Sequence, residues 1–85
     1  MGPASPGLGI EKASPSGAAM IGAPSELGRL VRGRREDLVL NQQQLAQRAG
    51  VGRRFVSELE AGKPTLEIGK VLAVCRTLGL TLFAT

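Results

Sequence analysis

Two short helices joined by a tight turn are predicted in the middle of this 85-residue chain, and they constrain its fold more than any other feature. Asn41 is a favourable N-cap, and Gln44 three residues later completes a capping-box pattern. A helix is therefore expected over Gln42–Ala49. Gly50 follows at the position where a residue able to adopt positive φ ends a helix.

The second helix of this unit is predicted from Arg53 to Ala61, and Gly62 ends it. Apolar residues recur at helical spacing in both helices, with one more in the turn. They would hold the two helices crossed, which is the arrangement of a helix-turn-helix over residues 41–62. These apolar positions are Leu45, Ala46, Ala49, Val51, Val56 and Leu59.

One further helix is predicted on each side of this unit, so the fold class is all-α. Ser25 is the expected N-cap of the first helix, which begins with Glu26 and runs to about Asp37. The last helix ends at Gly79 and carries an apolar stripe at helical spacing. The stripe consists of Leu66, Ile68, Val71, Leu72, Cys75 and Leu78.

The two ends of the chain have a different character from this helical region, which spans residues 25–79. Residues 1–24 are mostly Gly, Pro, Ser and Ala, and are predicted to be a disordered extension or cloning remnant. Residues 80–85 alternate in β-favouring types and predict a short C-terminal strand. Because a lone strand lacks a partner in a helical chain, we favour pairing with a second copy over a frayed tail. The strand residues are Leu80, Thr81, Leu82, Phe83, Ala84 and Thr85.

Basic charge is concentrated in the middle of the chain. The net charge is +4, and the stretch from Arg29 to Lys63 holds eight basic and four acidic residues. On charge alone, a nucleic-acid partner and a merely solvated surface fit equally well. The sequence has neither a signal-peptide pattern nor an apolar run of the ~20 residues needed to span a bilayer. We expect a cytoplasmic protein with no membrane partner.

The outward face of the second helix of the unit is expected to enter the major groove of DNA. Arg53 and Arg54 lie in its first turn, and arginine pairs bidentately with the O6 and N7 atoms of guanine. Ser57 lies one turn further and completes the predicted base-contacting set. The alternative is a pair of solvated arginines on a surface helix. Phe55 has two interpretations, contact with a thymine methyl group or packing beneath the helix, and packing is favoured.

Three runs of sequence resemble the phage-repressor (Cro/C1, or XRE) helix-turn-helix family. They are LNQQQLA at residues 40–46, AGV at 49–51 and VSELEAGK at 56–63. The resemblance implies a four-helix, lambda-repressor-like DNA-binding domain. More narrowly, GRRFVSELEAGKPT at 52–65, followed by GKVL at 69–72 and a terminal strand, resembles HipB-type antitoxins. That resemblance implies dimerisation through the C-terminal strand.

The resemblance to the repressor family also implies roles for particular residues. Gln42, at the start of the second helix, would grip a DNA phosphate. Arg35 would pair with Glu60 in a structural ion pair rather than contact DNA. Further predicted phosphate contacts are Gln43, Lys63 and Arg34, with solvated positions as the alternative for the two basic residues.

The leading functional hypothesis is a dimeric transcriptional repressor that is also an antitoxin. It would bind an inverted repeat of double-stranded operator DNA in the bacterial nucleoid, regulate its own operon and neutralise a HipA-like kinase toxin. The alternatives are a stand-alone XRE repressor, the antitoxin of a different toxin, and an adaptor that does not bind DNA. An enzyme is not expected, because the chain has no histidine and no nucleophile–base arrangement. No metal or other cofactor is expected, and the single Cys75 is predicted to be a buried apolar residue.

Overall fold

Four helices and two short strands make up the part of the chain that the computed structural model describes, residues 18–84, with side chains for residues 22–81. No helix in this part is long and apolar enough to cross a membrane. The four predicted helices are present. In chain order the elements are β1 (Ala18–Ile21), α1 (Pro24–Asp37), α2 (Gln42–Ala49), α3 (Arg53–Glu60), α4 (Ile68–Thr77) and β2 (Thr81–Ala84).

The start of α1 differs from the sequence prediction. Ala23 rather than Ser25 is the N-cap, and Pro24 occupies the first helical position. Proline is favoured there because its fixed φ suits the helix and its missing N–H would have no partner in any case. Glu26 links the first turn of α1 to the segment before it, since its Oε1 accepts a hydrogen bond of 2.8 Å from the Gly22 N–H.

Each of the four helices described ends in the same hydrogen-bonded motif. A residue just past the helix donates its N–H to a carbonyl five residues earlier, and the residue directly before that donor adopts a left-handed conformation. These bonds run from Leu40 to Arg35, from Val51 to Ala46, from Lys63 to Glu58 and from Leu80 to Cys75, at 2.8–3.1 Å. The left-handed residue is glycine at three ends, with φ of 73° at Gly50, 84° at Gly62 and 71° at Gly79.

Val39 takes this position at the end of α1, with φ of 58°. A β-branched residue is a genuine outlier there, and the left-handed region costs an L-residue roughly 1–2 kcal/mol. The side chain is 85% exposed, so packing does not compensate for the strain directly. The next residue, Leu40, is buried, and the motif at Val39 is what turns the chain so that Leu40 can reach the core.

The hydrophobic core lies between the helices, and it corrects the predicted face of α4. Ile68 and Leu72 were assigned to the buried stripe but are 66% and 41% exposed. Val74, which the stripe omitted, is completely buried. The buried face of α4 is therefore rotated about the helix axis relative to the face that the sequence predicts. The buried core consists of Val31, Leu45, Ala46, Val56, Leu59, Val71, Val74, Cys75, Leu78 and Leu80.

Cys75 is buried in this core, as the sequence predicts. Burial raises the pKa of its thiol, because the core does not solvate a thiolate. The group therefore stays protonated near neutral pH. Among the described residues, no cluster of three or more His, Cys, Asp or Glu side chains could hold a metal ion.

The two strands form a parallel pair in which Ala18 lies opposite Thr81 and Ile21 opposite Ala84. Residues 18–24 belong to the stretch that the sequence predicts to be disordered, and in the structure they form β1 and lead into α1. Residues 1–17 lie outside the described part of the chain. The second strand therefore has a partner within its own chain. The sequence argument for a dimer assumed that this strand had no such partner, so that argument no longer applies.

Helix α1 crosses the end of α3 at very short range, and a glycine makes this possible. A Cβ atom added to Gly28 would lie 2.6 Å from the Glu60 carbonyl oxygen and 2.7 Å from that of Leu59. Gly62, just past α3, is equally constrained, because a Cβ there would come within 3.0 Å of Ser25. The backbones of α1 and α3 are therefore in direct contact at Gly28, with no side chain between them.

Gly28→Ala should destabilise the domain by about 1–3 kcal/mol, because the added methyl group forces α1 and α3 apart. Gly33→Ala in the same helix is the matched control, since a Cβ at Gly33 meets nothing within 4 Å. That change should stabilise the domain by about 0.5–1 kcal/mol through helix propensity. Urea denaturation of both variants measures the difference, and similar stabilities would contradict the close approach.

Candidate nucleic-acid interface

The predicted base-contacting residues lie on one exposed face of α3. Arg53, Arg54 and Ser57 are all exposed, whereas Val56 and Leu59 on the opposite side are buried in the core. This division follows from the helical period, which places the two apolar residues against α2 and α1. The structure therefore brings the three residues together on a surface free to meet a partner.

A buried ion pair between Arg35 and Glu60 fixes the far end of α3. Arg35 Nε donates to Glu60 Oε2 at 2.6 Å, and Arg35 Nη2 donates to Oε1 at 3.0 Å. The two side chains are only 12% and 5% exposed. The hydrogen bond to Glu60 raises the pKa of Arg35 above its usual value, against the opposing effect of burial. The guanidinium therefore stays charged at every pH at which the domain would be studied.

The same carboxylate and guanidinium also hold the start of α2. Gln42 Nε2 donates to Glu60 Oε1 at 3.1 Å, and Arg35 Nη1 donates to the Leu40 carbonyl at 2.8 Å. Four segments thus meet at one network: α1, the loop after it, the first residue of α2 and the last residue of α3. Because the polar groups satisfy one another, the network orients α3 rigidly relative to the start of α2.

The start of α2 presents two further predicted contact residues. Gln42 is half-buried with its side chain anchored on Glu60, and Gln43 beside it is exposed. The predicted capping box is present, since Asn41 Oδ1 accepts from the Gln44 N–H at 2.7 Å and Gln44 Oε1 accepts from the Asn41 N–H at 2.8 Å. The amides that precede Gln44 have no acceptor within the helix itself, as at any helix N-terminus. They make this end of α2 suited to an anion.

Glu58 is a member of the outward face that the predicted site omitted. Its carboxylate is half-buried and lies between two basic groups, with Oε2 3.4 Å from Arg54 Nε and Oε1 3.5 Å from Lys63 Nζ. Arg54 is 92% exposed and Lys63 45% exposed. The spacing of four residues between Arg54 and Glu58 could have identified the first pair, because such residues are neighbours on a helix surface.

Arg34 makes a contact within the protein that the sequence does not predict. Its Nε donates to the Leu78 carbonyl at 2.9 Å, which ties α1 to the C-terminal end of α4. This bond supplies a basic partner for a carbonyl that the helix itself leaves unpaired. We therefore leave Arg34 out of the phosphate-contacting set, since its side chain is already engaged in joining two helices.

Phe55 packs partly against the core, in line with the favoured interpretation. The Lys70 ammonium lies 6.0 Å from the centre of its ring, at the outer limit of a cation–π contact. Phe55 therefore connects α3 to the first turn of α4 from below the exposed face.

Comparison with known proteins shows that the sequence is similar to helix-turn-helix proteins. Residues 26–82 match the family described as "Helix-turn-helix domain". The chain is also 52% identical over 65 residues to a protein of Sinorhizobium fredii named uncharacterized HTH-type transcriptional regulator y4mF. That alignment covers 76% of this chain and 86% of the relative. Both matches contain the whole helix-turn-helix and the network around Glu60.

Glu60→Gln should destabilise the domain by about 3 kcal/mol, because it leaves the buried Arg35 charge without its anion. Glu36→Gln is the matched control, since it removes the carboxylate of the exposed Arg32–Glu36 pair on α1. Such surface pairs contribute about 0.3–0.5 kcal/mol. Chemical denaturation measures both, and equal small losses would show that the buried pair does not hold the helices together.

Proposed function

We propose, from the premise that this chain belongs to the helix-turn-helix domain family, that it is a transcriptional repressor that binds operator DNA through α3. The observation that carries the proposal is the exposed pair Arg53 and Arg54 on a helix that a buried ion pair holds in place. Base recognition requires a helix held in a fixed position, and the Arg35–Glu60 pair holds α3 in this way. The named relative is a transcriptional regulator, which supports the same function.

The three exposed residues of α3 contact bases in this proposal. Arg53 and Arg54 lie in the first turn, the part of a recognition helix that approaches base edges in the major groove. Each bidentate arginine–guanine pair discriminates against other bases by about 1–3 kcal/mol. Ser57 has a short side chain, which allows the helix to lie deep in the groove.

The start of α2 and the end of α3 hold the DNA backbone in this proposal. Gln42 keeps one amide N–H on Glu60, and its other N–H is available to a phosphate. Gln43 is exposed at the next position, and Lys63 lies just past α3 with its ammonium partly exposed. Such contacts set the register of the protein on DNA and carry no base information directly.

Arg53→Ala should abolish the preference at one base position, a loss of roughly 5- to 150-fold in discrimination. Gln43→Ala should instead weaken binding to all sequences alike, because phosphates are identical along the DNA. A binding selection from a random duplex library, followed by titration of single-base variants, measures both effects.

Arg76→Ala is the control for this selection, because Arg76 is an exposed arginine in the last turn of α4 rather than on α3. It should leave base preference unchanged. A wild-type chain that selects no sequence would overturn the proposed function and favour an adaptor. A uniform loss from Arg53→Ala would place base contacts elsewhere on the protein.

We propose further that the repressor acts as a dimer on an inverted repeat. A two-stranded sheet leaves an outer edge on each strand, and β2 can therefore pair with β2 of a second copy. Two α3 helices about one turn of DNA apart, ~34 Å, would then contact two half-sites.

The resemblance to HipB-type antitoxins supports a second role for this dimer, the capture of a HipA-like kinase toxin. The support is the run at residues 52–65 together with a C-terminal strand at 81–84. An open apolar groove of about 300 Å³ lies beside the start of α1, with Leu66 and the exposed Ile68 in its wall. None of the three proposed base-contacting residues lines it, although Lys63 does.

Light scattering tests both assemblies. The intact chain should have twice its monomer mass of 8.8 kDa, and a chain that ends at Leu80 should be a monomer with weaker operator binding. The truncation keeps Leu80, because that residue is buried in the core.

Mixed with the product of the adjacent gene, the intact chain should form a larger complex. A truncated chain that remains dimeric would refute strand pairing, and the absence of a complex would refute the antitoxin role.

A further inference from the structure

Glu58 places a negative charge within the surface that the proposed function turns toward DNA. Its carboxylate lies on α3 one turn after Arg54, and only 30% of the side chain is exposed. A carboxylate near phosphates opposes binding through like-charge repulsion. The contacts that Glu58 makes with Arg54 and Lys63 indicate a favourable effect that offsets this repulsion.

Glu58 contacts the guanidinium of Arg54 through Nε and not through the two terminal nitrogens that would face a base. Glu58 Oε2 lies 3.4 Å from Nε of Arg54, so the carboxylate occupies the side of the fork nearest the helix. The two terminal nitrogens, Nη1 and Nη2, remain as a planar pair of donors. A planar pair of donors is what the O6 and N7 atoms of guanine accept.

The second contact explains why Glu58 can serve as a fixed support. Its other oxygen lies 3.5 Å from the ammonium of Lys63, whose backbone N–H also bonds to the Glu58 carbonyl at 3.1 Å. The carboxylate is therefore held from its far side. Arg54 by contrast is 92% exposed, and a free side chain of that length loses many rotamers when it binds a base.

We infer that Glu58 is a positioning residue that orients Arg54 for a guanine. It acts through Arg54 and does not contact the base itself. This inference rests on the proposed function and deepens it, because it assigns guanine specificity at one position to a pair of residues. Arg53 provides an internal comparison, since no salt bridge to it is found among the described side chains.

The test is a binding selection with Glu58→Gln, which keeps the shape of the side chain and removes its charge. Preference for guanine should fall roughly two- to tenfold at the position that Arg54→Ala also affects, which corresponds to the cost of ordering one long side chain. The position that Arg53→Ala affects should not change. The double variant with Arg54→Ala should lose no more preference than Arg54→Ala alone, because both changes remove the same interaction.

Glu36→Gln is the matched control, since it breaks an exposed Arg–Glu pair with the same spacing on α1, and it should leave every base preference intact. Melting temperatures of all variants separate folding from specificity, and Glu58→Ala should repeat the Glu58→Gln result. An unchanged guanine preference in folded Glu58→Gln overturns the inference. So does a loss at a position that Arg54→Ala does not touch, because Glu58 would then contact a base directly. A wild-type chain without any base preference instead overturns the proposed function.

Discussion

The buried pair of Arg35 and Glu60 determines where α3 lies, and the proposed interface depends on that placement. A charge with so little exposure is tolerated only when its partner is present and its remaining hydrogen-bonding groups are satisfied. Here the Leu40 carbonyl and the Gln42 amide complete the set. The network therefore acts as a single unit, and α3 cannot rotate without breaking bonds to α1 and α2 together.

Close backbone contact reinforces this polar network. Gly28 lets α1 approach the carbonyls of the last turn of α3, where Glu60 itself lies. The ion pair and the glycine thus constrain the same helix end in different ways, one by charge and one by shape. The first turn of α3, with Arg53 and Arg54, lies at the opposite end of the helix and projects from this anchored base. Rigid support at one end and exposed arginines at the other suit the proposed insertion of α3 into a groove of DNA.

Local signals in the sequence predicted most of the helical fold and the outward face of α3. The capping box at Asn41 and the glycine ends depend on residues at most five positions apart, so they are visible in a sequence. The errors arise where distant packing decides. Ile68 and Leu72 fit a helical period as well as Val74 does, and only the neighbouring helices determine which face is buried. The bond from Arg34 to Leu78 joins residues far apart in the chain and has no local signature.

The parallel pairing of β1 with β2 brings the first and last described segments of the chain side by side. All four helices therefore lie inside a loop that this short sheet closes. The helices contact one another over short separations in sequence, whereas the sheet joins segments about 60 residues apart, so its formation closes a long loop of chain. Such a closed arrangement is suited to circular permutation. A linker that spans the length of one four-residue strand, ~13 Å, would join Ala84 to Ala18, and new termini could be opened at the exposed Pro64–Thr65 loop without cutting the helix-turn-helix.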